Sequence, residues 1–399
     1  MSWPHVKIGA VATINPRLPK DIDPMQEVSF LGMASVSEEG QLLNEEPRIL
    51  ADVKKGFTYF ERGDVLLAKI TPCFENGKCL RSGKISREIG FGSTEFHVVR
   101  VDEGKLDAKY LFYMVWSDRF RFFGEKSMSG AAGQKRVSAD FLRDYEIPLP
   151  HLKEQQRIAT ILDKADAIRR KRQQAIALAD EFLRAVFLDM FGDVGGDGWA
   201  VETIESIAKN EKGSIRTGPF GSQLLHSEFV DSGISVLGID NAVDNRFRWG
   251  KSRFITREKY EQLSRYTVHP GDVLITIMGT CGRCAVVPEN VPTAINTKHL
   301  CCITLDEEKA LPEFLHSYYL YHPMARSYLS KTTKGAIMDG LNMGIIKDMP
   351  FPLVPLDLQV AFVAVKEKVS SLMGGLSESS TEDAELLGAL GQNAFSDRL

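Results

Sequence analysis

The sequence predicts an α/β (α+β) protein: two similar mixed α/β domains separated by an antiparallel coiled coil of two long helices, arranged with pseudo-two-fold symmetry. Three observations lead to this reading. The first is a long amphipathic stretch, Lys153 to Phe191, with no Gly or Pro until Gly192. The second is an internal repeat: Pro148 and Pro352 are 204 positions apart, and so are Gln155 and Gln359. The third is that each half mixes short apolar runs with helical patterns and then ends in an apolar stripe at helical spacing. The boundaries read as domain 1 over 1–150, a first spacer helix over 151–192, domain 2 over 193–355 and a second spacer helix over 356–399.

In the long stretch, Ile158, Ile161, Leu162, Ala165, Ile168, Ala175, Ile176, Ala179, Phe182, Leu183, Val186, Phe187 and Met190 fall mostly three or four apart, which makes one apolar stripe. Ile147-Pro148-Leu149-Pro150 keeps the helix from starting earlier. At 1.5 Å per residue it spans about 58 Å, more than an ordinary globular helix needs. A stripe so narrow and long calls for a partner of its own length. Leu358, Phe362, Val365, Val369, Leu372 and Leu376 supply one, resuming at Leu386, Leu387 and Leu390 after Gly374 to Thr381, where glycine and serine weaken the helix.

Within the first half the clearest strand is Asp64 to Ile70, opened by Arg62-Gly63 and closed by Thr71-Pro72; a second follows at Glu95 to Val101 and a helix at Tyr110 to Phe123. The second half answers in order. Pro270-Gly271-Asp272-Val273 matches the first strand, Asn296 to Thr304 the second, Pro312 to Leu315 the helix, and Gly335 to Gly340 the glycine run of 130–133. Trp199 opens this half as Trp3 opens the first.

With 399 residues, 43% hydrophobic and 26% charged, the chain has material for two or three cores. No eighteen-residue apolar run and no signal-peptide pattern occurs, so residence in the cytoplasm is expected, without a membrane. The six cysteines are too few for a disulfide framework. A net charge of −4 leaves the partner open, because clustering on one face decides nucleic-acid binding and a sum does not show it.

Signatures of catalysis fall short. Near Gly250-Lys251-Ser252 a phosphate loop would need glycine where Asn245 stands. Cys281-Gly282-Arg283-Cys284 with Cys301-Cys302 lacks the second spaced pair of a zinc ribbon, and these cysteines read as strand positions. Glu103-Gly104-Lys105 is half of a metal-dependent nuclease pattern without a further acid, and turn chemistry accounts for Asp64. No metal or catalytic site is expected.

What remains suits binding. Lys69, Thr71, Asn76, Lys78 and Arg81 surround a Pro72/Gly77 loop, and Gln134, Lys135 and Arg136 follow the glycine run. In the second half Arg216, Thr217, Ser222 and Gln223 form a comparable loop, followed by Thr276, Thr280 and Arg283, then Asn296, Thr297, Lys298 and His299, and finally Asn342. Such side chains on glycine-containing loops can reach base edges and pair with phosphates. Each is equally explained as polar surface, and a scaffold or adaptor that binds no DNA and is built on the coiled coil stays open as an alternative. Arg169-Arg170-Lys171-Arg172 reads as a solvated helix face, with Asp163 and Asp166 able to pair locally.

The order of these segments resembles the DNA-specificity subunits of type I restriction-modification enzymes. The resemblance is carried by Ile147-Pro148-Leu149-Pro150, by Glu154 to Ala159 and the helix to Phe191-Gly192-Asp193, then by Gly271 to Leu274, Gly279-Thr280, Ala294 to His299, Gly340-Leu341-Asn342 and Ala394-Phe395-Ser396. It implies a non-catalytic subunit whose two target-recognition domains each read one half of a split, asymmetric double-stranded DNA site, with the coiled coil as spacer. It implies docking of methyltransferase subunits, which carry S-adenosylmethionine, and of restriction subunits driven by ATP with Mg, so that no cofactor belongs to this chain. Half-sites read from one side of B-DNA lie roughly 34 to 36 Å apart, within the length of such a helix.

Overall fold

A computed structural model describes residues 3–131, 133–192, 198–333, 340–374 and Phe395. The chain divides into two compact units, residues 1–174 with 376–399, and residues 175–375.

The first unit is built on two four-stranded sheets and a two-stranded ribbon. Its elements are β1 (His5–Lys7), α1 (Ile8–Val11), β2 (Ala12–Ile14), β3 (Glu27–Leu31), β4 (Glu46–Ile49), α2 (Leu50–Val53), β5 (Thr58–Glu61), β6 (Val65–Ala68), β7 (Cys79–Arg81), β8 (Ile89–Gly92), β9 (Phe96–Val101), α3 (Ala108–Trp116), α4 (Asp118–Ser127), α5 (Ala139–Asp144) and β10 (Glu146–Pro148). One sheet runs β2-β9-β6-β7, the other β4-β3-β8-β5, and β1 pairs with β10. The predicted strand from Asp64 is β6, all four of its residues buried. Gly63 makes the preceding turn at φ +100°, a region open to glycine at no steric cost. The Asp64 carboxylate takes the Glu61 N–H and a bidentate pair from Arg100 at 2.9 and 2.8 Å.

The helix predicted over Tyr110 to Phe123 is two helices. Asp107 caps α3 by accepting from the Lys109 and Tyr110 amides, and Ser117, in extended conformation, ends α3 and caps α4 through the Phe120 N–H. A serine that bonds the backbone ahead of it favours a fresh start over a continued helix.

The second unit repeats this plan with β11 (Val201–Thr203), β12 (Ile215–Thr217), β13 (Ile234–Leu237), β14 (Phe254–Ile255), β15 (Thr267–Val268), β16 (Val273–Thr276), β17 (Cys284–Val286), β18 (Ala294–Asn296), β19 (Leu300–Ile303) and β20 (Pro350–Pro352). Its sheets run β12-β19-β16-β17 and β14-β13-β18-β15, the strand orders of the first unit, and β11 pairs with β20 as β1 does with β10. β3–β8 and β13–β18 are the parallel pairs at matching places. The single strand predicted over Asn296 to Thr304 is two: residues 297–299 carry the chain from one sheet to the other, so β18 answers β8 and β19 answers β9. Cys284, Cys301 and Cys302 are buried strand residues, as their apolar surroundings suggest.

The long helix, α6, runs Leu152–Phe191. Ile158, Ala159 and Leu162 enter the first unit's core, while Leu183, Phe187 and Phe191 are buried toward the other end, both phenylalanines in the second unit's core. Between them Ile168, Leu178 and Phe182 are exposed. In the second unit the remaining helices are α7 (Ile204–Ile207), α8 (Arg257–Leu263), α9 (Pro312–Tyr321), α10 (Pro323–Thr333), α11 (Met343–Lys347) and α12 (356–374). Phe362, near the start of α12, packs its ring 5.1 and 5.9 Å from those of Phe187 and Phe191, at the end of α6. Of the predicted second stripe, Val365 and Val369 are half-buried and Leu358 and Leu372 exposed, while Leu376, Leu386, Leu387 and Leu390 lie outside the described residues, as do positions 335–339 of the second glycine run. Phe395 stacks edge-on to Tyr110 at 5.4 Å in the first unit.

Candidate nucleic-acid interface

In the first unit one corner gathers most of the sequence-predicted residues. Just past the end of β6, the backbone of Lys69 bonds Glu95 on one side and Val137 on the other; the Thr71 N–H donates to the Lys135 carbonyl at 3.0 Å, and Ile70 and Arg136 form a bridge. The strand end, the start of β9 and residues 135–137 therefore sit side by side. Gln134 and Lys135 are exposed there, and Lys69 and Thr71 are half-buried. Arg136 chelates the Glu95 carboxylate at 2.8 to 3.2 Å and holds it below the usual carboxylate range. His97 lies behind them, neutral: burial depresses it, its Nε2–H donates to the Val137 carbonyl and its Nδ1 accepts from Asn15.

The other three residues of this half point elsewhere. Asn76 donates to Glu38, Lys78 to the Met33 carbonyl, and Arg81 on β7 turns to Asp163 of α6 at 3.8 Å.

In the second unit three loops converge. Gly218 lies so close to residues 296–297 that a Cβ would stand 2.0 Å from the Asn296 carbonyl, and Gly279, at φ +70°, lies under Ile239. The Ile277 N–H donates to the His299 carbonyl. This brings Thr217, Thr280, Thr297, Lys298 and His299 into one neighbourhood, with Ser222, Gln223 and Arg283 exposed on the same loops. Burial, then Lys298 and Arg253, push the His299 imidazole below its ordinary value, which favours a neutral ring able both to donate and to accept.

Three of the candidates are committed inside the domain. Arg216 binds buried Asp272 at 2.6 Å and the Thr267 carbonyl, the counterpart of the Asp64–Arg100 pair with the arginine on a different strand. Thr276 is fully buried; its hydroxyl donates to the Thr280 carbonyl and accepts the Arg283 N–H, closing the 276–283 turn. Asn296 is fully buried and donates to the Leu300 carbonyl. Asn342, on the surface, spends its side-chain oxygen capping α11. The basic run on α6 is likewise partly internal: Arg169 and Arg170 both pair with Asp166, and Arg169 lies over the Trp116 ring.

Sequence reasoning missed the outer face of α4, which carries Arg119, Phe122, Phe123 and Lys126, and the exposed rings of Phe220 and Trp249 on loops of the second unit. Ser117 followed by Asp118 was the available signal for α4, since it marks a helix start and puts those four residues on one face. Among the described residues, no three His, Cys, Asp or Glu side chains gather so as to hold a metal ion, and no helix is long and apolar enough to cross a membrane.

Comparison with known proteins agrees with this duplicated architecture. The sequence matches the family described as "Type I restriction modification DNA specificity domain" twice, over residues 2–178 and 198–373. It is 39% identical over 163 residues to the type I restriction enzyme EcoEI specificity subunit of Escherichia coli, across 41% of this chain and 27% of that one. To the EcoAI specificity subunit of the same species it is 41% identical over 157 residues, 39% of this chain and 26% of that one. The matched stretch is thus about a quarter of those relatives' length. The crystal structure of a type I restriction-modification system S subunit from M. genitalium shares the fold, with a TM-score of 0.59 at 14% identity over 99% of this chain and 96% of the other. With two matches that together span most of its length, this chain belongs to the type I restriction modification DNA specificity domain family.

Proposed function

We propose that the chain is a non-catalytic specificity subunit that reads a bipartite, asymmetric site on double-stranded DNA, one half-site per domain. The observation that carries this is the pairing of one scaffold with two loop sets. Strand order, parallel pairs and ribbon repeat between the units, yet the loops at corresponding corners differ: Lys69, Thr71, Gln134 and Lys135 in one, Thr217, Gln223, Thr280, Arg283 and Lys298 in the other. Lysines at these corners suit phosphates, which position a duplex, while Gln, Thr and Arg suit base edges, which specify it. Two unlike readers on one chain call for two unlike half-sites. Methyltransferase subunits using S-adenosylmethionine and restriction subunits using ATP and Mg are the proposed partners, and the chemistry is theirs.

Methylome sequencing of a host carrying the complete system tests this. A two-part asymmetric motif is expected; a palindromic or undivided motif overturns it. In a mobility-shift assay with the methyltransferase subunit present, retention should be sequence-selective and fall steeply with salt.

A further inference from the structure

α4 offers a basic and aromatic face beside the first unit's corner. Arg119, Phe122, Phe123 and Lys126 are spaced three, one and three apart, so they share one side of the helix. All four are exposed, Phe122 at 51% and Phe123 at 45%. The rings meet edge to face at 5.5 Å, and the Lys126 ammonium lies 4.0 Å from the Phe122 centroid. Two large rings left in water on one short helix mark a contact surface. Its charge says of what kind: the face holds two cations and no acid, because Glu125 lies to the side and Asp118, also to the side, is paired with Arg121.

The opposite side of α4 ties it to the corner. A Cβ on Gly124 would stand 2.2 Å from the Phe74 ring, and Arg121 donates to the Glu75 carbonyl at 3.2 Å, so α4 lies on the 71–78 loop. Just past its end, Met128 Sδ lies 3.5 Å from Thr71 Oγ1, and Ser129 pairs with Arg136. α4 therefore adjoins the corner that carries Lys69, Thr71 and Lys135, with its exposed face turned away from the 71–78 loop.

We propose that this face of α4 is a second arm of the DNA contact in the first unit, on which Arg119 and Lys126 take backbone phosphates and Phe122 and Phe123 pack against the sugars and minor-groove edge between them. Apolar side chains flanked by basic ones suit that surface. The second unit lacks the arm: counted from the fully buried Phe120 and Ala325, α10 places Met324, Ser327, Tyr328 and Lys331 at these positions. The first half-site should accordingly have the longer footprint.

The inference rests on the DNA-reading function, and its test separates the two. The complex of the full chain with its methyltransferase subunits is titrated with a duplex carrying the methylated motif, at several salt concentrations. R119A/K126A should weaken binding and lower the slope of log K against log salt by about 2, near 0.9 per phosphate contact. F122A/F123A should weaken binding by about tenfold with the slope unchanged, and hydroxyl-radical protection should shrink at the first half-site alone. K69A/K135A is the reference. If it weakens binding while both α4 variants bind as wild type, the arm is refuted and the DNA reading stands. If the wild-type complex shows no sequence-selective binding, both fall. If the α4 variants instead lose the methyltransferase subunit on gel filtration, the face is a protein dock and the arm is refuted.

Discussion

In the first unit Asp163 of α6 accepts from the Tyr113 hydroxyl at 2.8 Å and lies 3.1 Å from Lys109 of α3. In the second unit Lys366 of α12 pairs with Glu313 of α9 and donates to His316 Nδ1 at 2.9 Å and to Ser317 at 3.2 Å. Lys109 and Glu313 stand at corresponding positions of the repeat, so the charges across the two helix seams are reversed. Beside them the glutamines have not changed at all. Gln155 donates to the Lys105 and Pro150 carbonyls and accepts from the Asp107 N–H; Gln359 does the same with Lys309, Val354 and Leu311. Backbone groups are the same in any sequence, so the amide that satisfies them is kept, whereas a charge can be exchanged provided its partner is exchanged too. Depth differs as well. Lys366 occupies the place that fully buried Leu162 holds in the first unit, leaving its side chain 13% exposed against 30% for Asp163.

Removing the shared amide should have the largest effect. Gln155→Ala and Gln359→Ala each strand one N–H and two carbonyls, which costs about 4 kcal/mol at the 1–3 kcal/mol of an unmet buried group. Hydrogen exchange resolved by segment should show equal losses in the two units; a marked inequality would break the correspondence. Lys366→Leu should cost the second unit about 3 kcal/mol, because Glu313 and His316 lose their cation in a largely buried seam. Adding His316→Phe installs the residues of the first unit, Leu162 and Phe112, and should recover much of the loss in urea unfolding.

Acid should separate the units next. Burial, then Lys366, bring the His316 imidazole down to about 3 from 6.5. Its Nε2–H donates to the Asn245 and Cys284 carbonyls while Nδ1 accepts from Lys366, so the fold requires the neutral ring. The unfolded chain takes up a proton that the fold refuses, so this contribution is whole above pH 6.5 and is lost as pH falls from there toward 3. At pH 5 the loss is about 2 kcal/mol. Burial would raise Glu313, but Lys366 outweighs it and holds the carboxyl below 4.5, so Glu313 adds a second loss only at lower pH. His97 in the first unit is also depressed by burial. The measurement is therefore the slope of stability against pH in His316→Phe, which should flatten for residues 312–321 and 356–374; an unchanged slope would refute the assignment.

The long helix and the duplication were legible because both are periodic: a 3.6-residue stripe and a fixed offset survive without knowledge of contacts. The corners proposed for DNA contact were legible in part, as glycine-rich loops with polar residues. What was hidden depends on pairing across the chain. Arg216 reads as a free cation until β12 is laid on β19 beside β16, which sets its guanidinium against Asp272. Thr276 and Asn296 are likewise consumed by turns whose closing residues lie several positions ahead. α4 was concealed by continuity, since apolar residues run through Ser117 and only the cap separates a buried helix from an exposed one.

The reversed charges have a local cause, and the smallest prediction tests it. Register places Arg81 opposite Val65 in the first unit and Val286 opposite Val273 in the second. Arg81 is 29% exposed, its Nη1 has no hydrogen-bond partner, and Asp163 at 3.8 Å is the acid beside it. The arginine under the seam favours the acid at Asp163; with a valine there, the lysine enters the seam from the place of Leu162, while Glu367, the counterpart of Asp163, is exposed. Lys109→Glu alone, at a half-exposed position, should cost about 0.5 kcal/mol. Adding Asp163→Lys should not restore stability, since the new lysine faces Arg81 and the Tyr113 hydroxyl loses its acceptor. Adding Arg81→Val should remove the like-charge part of that loss and leave the unmet Tyr113 hydroxyl, about 1 kcal/mol. If Lys109→Glu with Asp163→Lys already recovers without touching Arg81, the arginine does not set the sign of the seam, and the two halves diverged for another reason.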